Sequence, residues 1–97
     1  MSLNTPFAYI VSYDLNQSAT KYNALFEELK RSHRWWHYLN STWIVLRYEA
    51  LAEFGPKLRP LIFQGDRLLI QPAKGPSDGW LPKEAWEWLQ HNVPREW

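Results

Sequence analysis

Two histidines, His33 and His37, bracket the pair Trp35-Trp36 in a 97-residue chain that contains no cysteine. Histidine titrates near neutrality, so this spacing offers a general acid and a general base. The competing reading is a pair of half-exposed hairpin residues with no chemistry. The same stretch is basic, with Lys30, Arg31 and Arg34 before the tryptophans and Arg47 after them. Such a set suits a nucleic-acid strand, with Arg31, Arg34 and Arg47 on phosphates and Trp35 and Trp36 stacked on bases. A solvated rim around a packed core accounts for the same residues. Lack of cysteine removes disulfide frameworks, thiolate metal sites and thiol nucleophiles together. Asp14 closes the first apolar run with Ser12 and Asn16 beside it, and the plain role of such a carboxylate is to cap backbone amides ahead of a helix.

Something must position these side chains, and at this length one core is the default, so residues 1–97 are read as a single domain. A domain this small buries a modest share of its surface and leans on large side chains or a partner. Seven Trp, five Tyr and four Phe supply the large side chains. A third of them left outside the core would form an association surface, which predicts a homodimer. The net charge of +1 gives no dominant drive toward nucleic acid, although a local basic patch stays open. Residues 1–7 lack a basic start followed by an apolar stretch, and no apolar run approaches a membrane span. Both observations predict a cytoplasmic protein without membrane contact.

The run Phe7-Ala8-Tyr9-Ile10-Val11-Ser12-Tyr13 is aromatic and β-branched and reads as a strand. Tyr22, Leu25, Phe26 and Leu29 then recur at helical spacing, which predicts a helix from about Ala19 to Arg31 with Ser18 as its N-cap. Trp35 to Leu39 and Thr42 to Tyr48 flank Asn40-Ser41, a hairpin pattern. Leu51, Phe54, Leu58 and Leu61 form a second helical stripe, and Gly55-Pro56 predicts a short or broken helix there. Arg67 to Gln71 is a fourth strand ending at Pro72. The residues from Pro72 to Gly79 read as a loop. Pro82 then opens a third helix, whose apolar stripe is Leu81, Ala85, Trp88 and Leu89 and which Pro94 ends.

The order βαββαβ over about residues 7–72 predicts an α+β, ferredoxin-like fold. In it a four-stranded antiparallel sheet carries two crossover helices on one face. Residues 73–97 add the loop and a Trp-rich C-terminal helix. Both faces of the first and third strands are apolar, whereas a solvated face would alternate with polar residues. The second face is therefore expected to be covered by a partner subunit, by the tail, or by both. Trp80, Trp86, Trp88 and Trp97 are the tail residues that would either cover it or bind a partner. Asp66 and Asp78 lie in glycine-containing turns and read as turn residues.

The strand Tyr9-Ile10-Val11-Ser12-Tyr13-Asp14-Leu15 ends in an aromatic-Asp-aliphatic triplet directly before an amphipathic helix. With the hairpin after it, this resembles the CRISPR-associated Cas-two family and its VapD-like relatives. Trp36, His37, Leu39 and Ser41-Thr42-Trp43, with Gly79-Trp80-Leu81-Pro82-Lys83-Glu84-Ala85-Trp86-Glu87-Trp88, are more closely similar to the small bacterial SinR-like proteins. The resemblance implies a ferredoxin-like homodimer whose first strands approach each other. It also makes Asp14 the matching position of a metal-binding, catalytic acid, with Mg²⁺ or Mn²⁺ as cofactor. Two carboxylates across a dimer axis repel, and a divalent cation relieves this while orienting water and phosphate. The implied function is a metal-dependent nuclease acting on RNA or DNA phosphodiesters. The alternative is a non-catalytic dimeric module that binds protein or nucleic acid. An RRM-like reading lacks the glycine-aromatic RNP pattern. The tail departs from the Cas-two pattern, which often continues with a further strand.

Overall fold

A computed structural model describes residues 2–95, with side chains from residue 5 onward. The first strand, β1 (Ser2–Asp14), begins five residues ahead of the apolar run and pairs Ser2 with Glu49 before an irregularity that ends at Phe7. Pro6 falls within that irregular stretch and has no N–H for the ladder. The predicted first helix divides into a 3₁₀ turn (Ala19–Tyr22) and α1 (Asn23–Lys30). Ser18 is the N-cap residue but caps no backbone amide with its side chain. The hairpin forms as expected, with β2 (Arg34–Leu39) and β3 (Thr42–Glu49) around Asn40-Ser41.

The second helix, α2 (Leu51–Leu58), runs through Gly55-Pro56 without a break and tightens to a 3₁₀ turn only at Arg59–Leu61. The proline forfeits one backbone bond, while fully buried Phe54 and Leu58 pin the helix on either side of it. A turn with Gly65 in a left-handed conformation (φ 91°) leads to β4 (Arg67–Pro72). After the loop comes α3 (Lys83–Asn92), with Pro82 at its N-cap.

The strands form one antiparallel sheet in the order β2-β3-β1-β4. Thus β1 and β2 run parallel with β3 between them, and β3 and β4 run parallel with β1 between them, which is the ferredoxin-like split βαβ arrangement. Both crossover helices lie on one face, where Tyr9, Val11, Trp43 and Val45 pack against Tyr22, Leu25, Leu29, Phe54 and Leu58. The opposite face is only partly closed. There α3 seats Trp88, with Val93 just beyond it, against Ala8, Leu46, Ala73, Ile10 and Ile44, and the Trp36 indole donates to the Ala85 carbonyl at 3.2 Å. The tail thus covers part of its own sheet. Trp80 remains 96% exposed, and Trp97 lies outside the described residues. No helix among the described residues is long and apolar enough to cross a membrane.

Candidate functional site

Asp14 stands at the last position of β1, directly opposite Arg67 of β4 and on the face that α3 only partly covers. Ser12 lies two residues back on that face, where its hydroxyl meets that of Thr42 at 3.3 Å. An open hollow of about 430 Å³ surrounds them, lined by Ser12, Asp14, Ser41, Arg67 and Leu69 among others. Among the described residues the Asp14 carboxylate has neither a hydrogen bond nor an ion pair, and the Arg67 guanidinium has none either.

The capping work open to Asp14 in the sequence falls to Asp66. Its Oδ1 accepts the Asn16 N–H at 2.8 Å, and its Oδ2 accepts the Phe63 N–H at 2.8 Å and the Tyr22 hydroxyl at 2.7 Å. Burial pushes the Asp66 carboxyl up, but these three donors outweigh it and hold the group below the usual carboxylate range. Asn16 belongs to the same knot, donating from Nδ2 to the Gly65 carbonyl at 2.8 Å. It therefore does not assist Asp14. Asp78 accepts the Gly79 N–H at 2.8 Å, in keeping with its reading as a turn residue.

A divalent hard cation takes six or more oxygen ligands and binds protein through one or several carboxylates. Here one chain offers a single carboxylate whose register neighbour is a cation. No group of three or more His, Asp or Glu side chains that could hold a metal occurs among the described residues.

The histidines are not brought to Asp14 or to each other. His37 stacks on Trp43 with ring centroids 4.0 Å apart, and its Nε2 lies 3.1 Å from the Asn40 carbonyl. His33 sets its ring edge-on to Tyr48 at 5.2 Å.

Two of the expected nucleic-acid contacts are withdrawn by the fold. Arg47 is 6% exposed, and its Nε donates to Glu49 at 2.8 Å while Nη2 donates to Glu28 at 2.9 Å. Its Nη1 reaches the Glu28 carbonyl and the Ser32 hydroxyl, and the guanidinium lies over Phe54. Every donor direction is committed inside the protein, so Arg47 has nothing left for a phosphate. Lys57 pairs with the other side of Glu49. Burial pushes the Glu49 carboxyl up, but Lys57 and Arg47 together draw it below its ordinary value. Trp36 is buried beneath α3 and has no free ring face for a base.

Arg31, Arg34 and Trp35 remain exposed where the end of α1 turns into the edge strand β2, with Trp35 opposite Val45 on the helix-covered face and Arg34 opposite Leu46 on the other. Trp35 is 42% exposed, and the Lys30 ammonium lies 5.7 Å from its ring centroid. Lys30 occupies the last turn of α1, where the negative end of the helix dipole favours a cation. Arg31 is exposed, and among the described residues it pairs with Glu28 at 3.5 Å. Arg34 is also exposed at the start of β2. Sequence reasoning missed Arg67 altogether. The pairing of β1 with β4 that a ferredoxin-like order requires was the signal that could have placed it opposite Asp14.

No family model and no curated protein matches the chain. Among solved structures the chain is similar to the hypothetical protein TT1823 from Thermus thermophilus. The two are 28% identical over 79% of this chain and 95% of that one, with a TM-score of 0.56.

Proposed function

We propose that this protein is a homodimeric, SinR-like relative of the Cas-two fold group that works as a nucleic-acid-binding module for single strands. The observation that carries the reading is the corner formed by Lys30, Arg31, Arg34 and Trp35. It combines three exposed cations with a half-exposed indole, as in sites that track a phosphate backbone and stack its bases. Its place on an edge strand leaves it open to a long ligand. Fluorescence anisotropy with a labelled single-stranded RNA or DNA oligonucleotide tests it. Three phosphate contacts give a log K against log salt slope of about −2, and removing one cation, as in Arg34→Ser, reduces its magnitude by about 0.7. Trp35→Ala weakens binding by about tenfold, the scale of one lost base stack. A wild-type protein that binds neither oligonucleotide at low salt overturns the reading.

One observation favours a second reading, a metal-dependent nuclease: the exposed Asp14 carboxylate has no partner among the described residues. One chain supplies one Asp14, so this reading needs two copies to bring two such carboxylates together. It predicts that Mg²⁺ or Mn²⁺ raises the melting temperature and that Asp14→Asn abolishes both this shift and any phosphodiester cleavage. No metal response and no cleavage by the wild type would leave the binding module alone standing.

A further inference from the structure

His37 is left unused by the proposed binding site, yet it stands two residues beyond Trp35 on the same edge strand. Both rings reach one indole, that of buried Trp43. His37 lies nearly parallel to it at 4.0 Å between ring centroids, and Trp35 is tilted against it at 5.3 Å. Trp43 belongs to the core under the crossover helices, so Trp35 and His37 share that face of the sheet at its β2 edge. The pairing of β2 with β3 shifts register between Trp36 and Leu39, the kind of irregularity that re-aims a side chain. The support beneath the two rings is itself tied down. Trp43 lies close to parallel with Phe26 of α1 and donates its Nε1–H to the Tyr13 hydroxyl at 2.9 Å, and that hydroxyl donates to the Asn40 carbonyl at 3.2 Å. His37 Nε2 lies 3.1 Å from the same carbonyl, which only accepts, so Nε2 carries the proton. A stack on one face and a hydrogen bond at one nitrogen thus fix the His37 ring while the residue stays exposed.

We infer that Trp35 and His37 are two successive stacking positions for unpaired bases, and that their spacing selects a strand whose bases are splayed apart. The inference rests on the nucleic-acid-binding reading and adds to it a second base contact and a preference for unstacked bases. Two residues along a strand are about 6.6 Å apart. Neighbouring bases in one strand of a duplex are about 3.4 Å apart along the axis. A ligand that lays one base on each ring is therefore unstacked between them, which a single strand achieves and a duplex does not. Any base has a flat face to offer, so the platform tolerates sequence. The Lys30 ammonium, 5.7 Å from the Trp35 ring centroid, and the exposed Arg31 supply the positive charge that a phosphate backbone needs beside it. Because Trp43 and the Asn40 carbonyl hold the His37 ring before any ligand arrives, little ordering is left to oppose binding there.

Fluorescence anisotropy on the full chain tests this with three labelled probes: oligo(dT), an abasic deoxyribose-phosphate oligomer of the same length, and oligo(dT) annealed to oligo(dA). Two variants separate stacking from cover, since both keep an apolar group over Trp43 and only one keeps a flat ring. His37→Leu is expected to weaken oligo(dT) binding about tenfold, the scale of one lost base stack, and to leave the abasic probe unaffected. His37→Phe is expected to hold wild-type affinity for both. The wild type is expected to bind the duplex about tenfold more weakly than the single strand. A wild type that binds none of the probes overturns the nucleic-acid-binding reading and this inference with it. If Trp35→Ala weakens oligo(dT) binding and His37→Leu does not, the second stacking position is overturned and the binding module stands. The stacking role is also overturned if His37→Leu weakens oligo(dT) and the abasic probe alike, or if His37→Phe binds as weakly as His37→Leu. A duplex held as tightly as the single strand overturns the selection for splayed bases.

Discussion

The two faces of the sheet are built from the same alternating strands and end up closed in different ways. On one, α1 and α2 bury Tyr9, Val11, Trp43 and Val45 against Phe54, Leu25 and Leu58, and a guanidinium is sealed in with two carboxylates beside it. On the other, one helix closes part of the surface and leaves exposed leucines and two charges that pair with none of the described residues beyond it. Folding stability is concentrated on the first face. The groups free to meet another molecule lie on the second face and at the β2 edge. Asp66 and Asp14 repeat this division on a smaller scale, since among the described residues one takes three donors and the other none.

The contrast breaks most readily at Phe54. Phe54→Ala on the sealed face is expected to lower the unfolding free energy by about 3–5 kcal/mol in urea titrations, as truncation of a fully buried aromatic does. An effect below 1 kcal/mol would mean that this face is not the stable one. Arg47→Met comes next, at about 3 kcal/mol, because Glu28 and Glu49 keep their charge and lose their buried partner. Lys57→Met, on the exposed side of the same network, is expected to change stability by less than about 1 kcal/mol.

The acid limb of stability sharpens the comparison between the carboxylates. Asp66 and Glu49 both titrate below their ordinary values in the folded state. Their contribution is therefore present above about pH 4 and is lost as pH falls through the lowered values. Asp66→Asn should lower the melting temperature at neutral pH and flatten its decline on acidification, whereas Asp14→Asn should leave the melting temperature at neutral pH unchanged. At the alkaline end the phenols of Tyr9, Tyr13 and Tyr22 are pushed up, in each case mainly by burial. The stability they hold is full below about pH 10 and fades as pH rises through their raised values. The smallest effect belongs to the uncovered part of the second face. Leu69→Ser should leave chemical unfolding within about 0.5 kcal/mol of wild type in urea titrations.

Alternation made the strands legible, because Tyr9, Val11 and Tyr13 separate from Ala8, Ile10 and Ser12 whatever the rest of the chain does. The stripe of Tyr22, Leu25, Phe26 and Leu29 made the first helix legible in the same way. Arg47 was misread because its main partner, Glu28, lies 19 residues away on another element. Glu49, two residues on and on the same face of β3, was the local hint that a buried pair was forming. The short helix expected around Gly55-Pro56 is what forms, eight residues long, and tertiary packing of Phe54 and Leu58 carries it through the proline unbroken. Of the site, Trp35 with its flanking Arg31 and Arg34 could be read from composition. The companionship of Asp14 and Arg67 could not, because it exists only once β1 and β4 are paired.

The strand order has a consequence for how the molecule is made. β1 lies at the centre of the sheet, with Ile10 opposite Ile44 on one side and Gln71 on the other. Of the four strands it emerges first, and it has to wait until Glu49 for its neighbour β3 and until Pro72 for its neighbour β4. The hairpin β2–β3 closes locally and can form meanwhile, giving β1 one edge to dock on, but the second edge arrives only with β4. Pairing so distant in sequence carries a loop-closure penalty and slows folding relative to helical chains of the same size. In that interval β1 has one unpaired edge and no α3 over Ala8 and Ile10, so a nascent chain stalled before Arg67 is the form of this protein most exposed to aggregation and to chaperones.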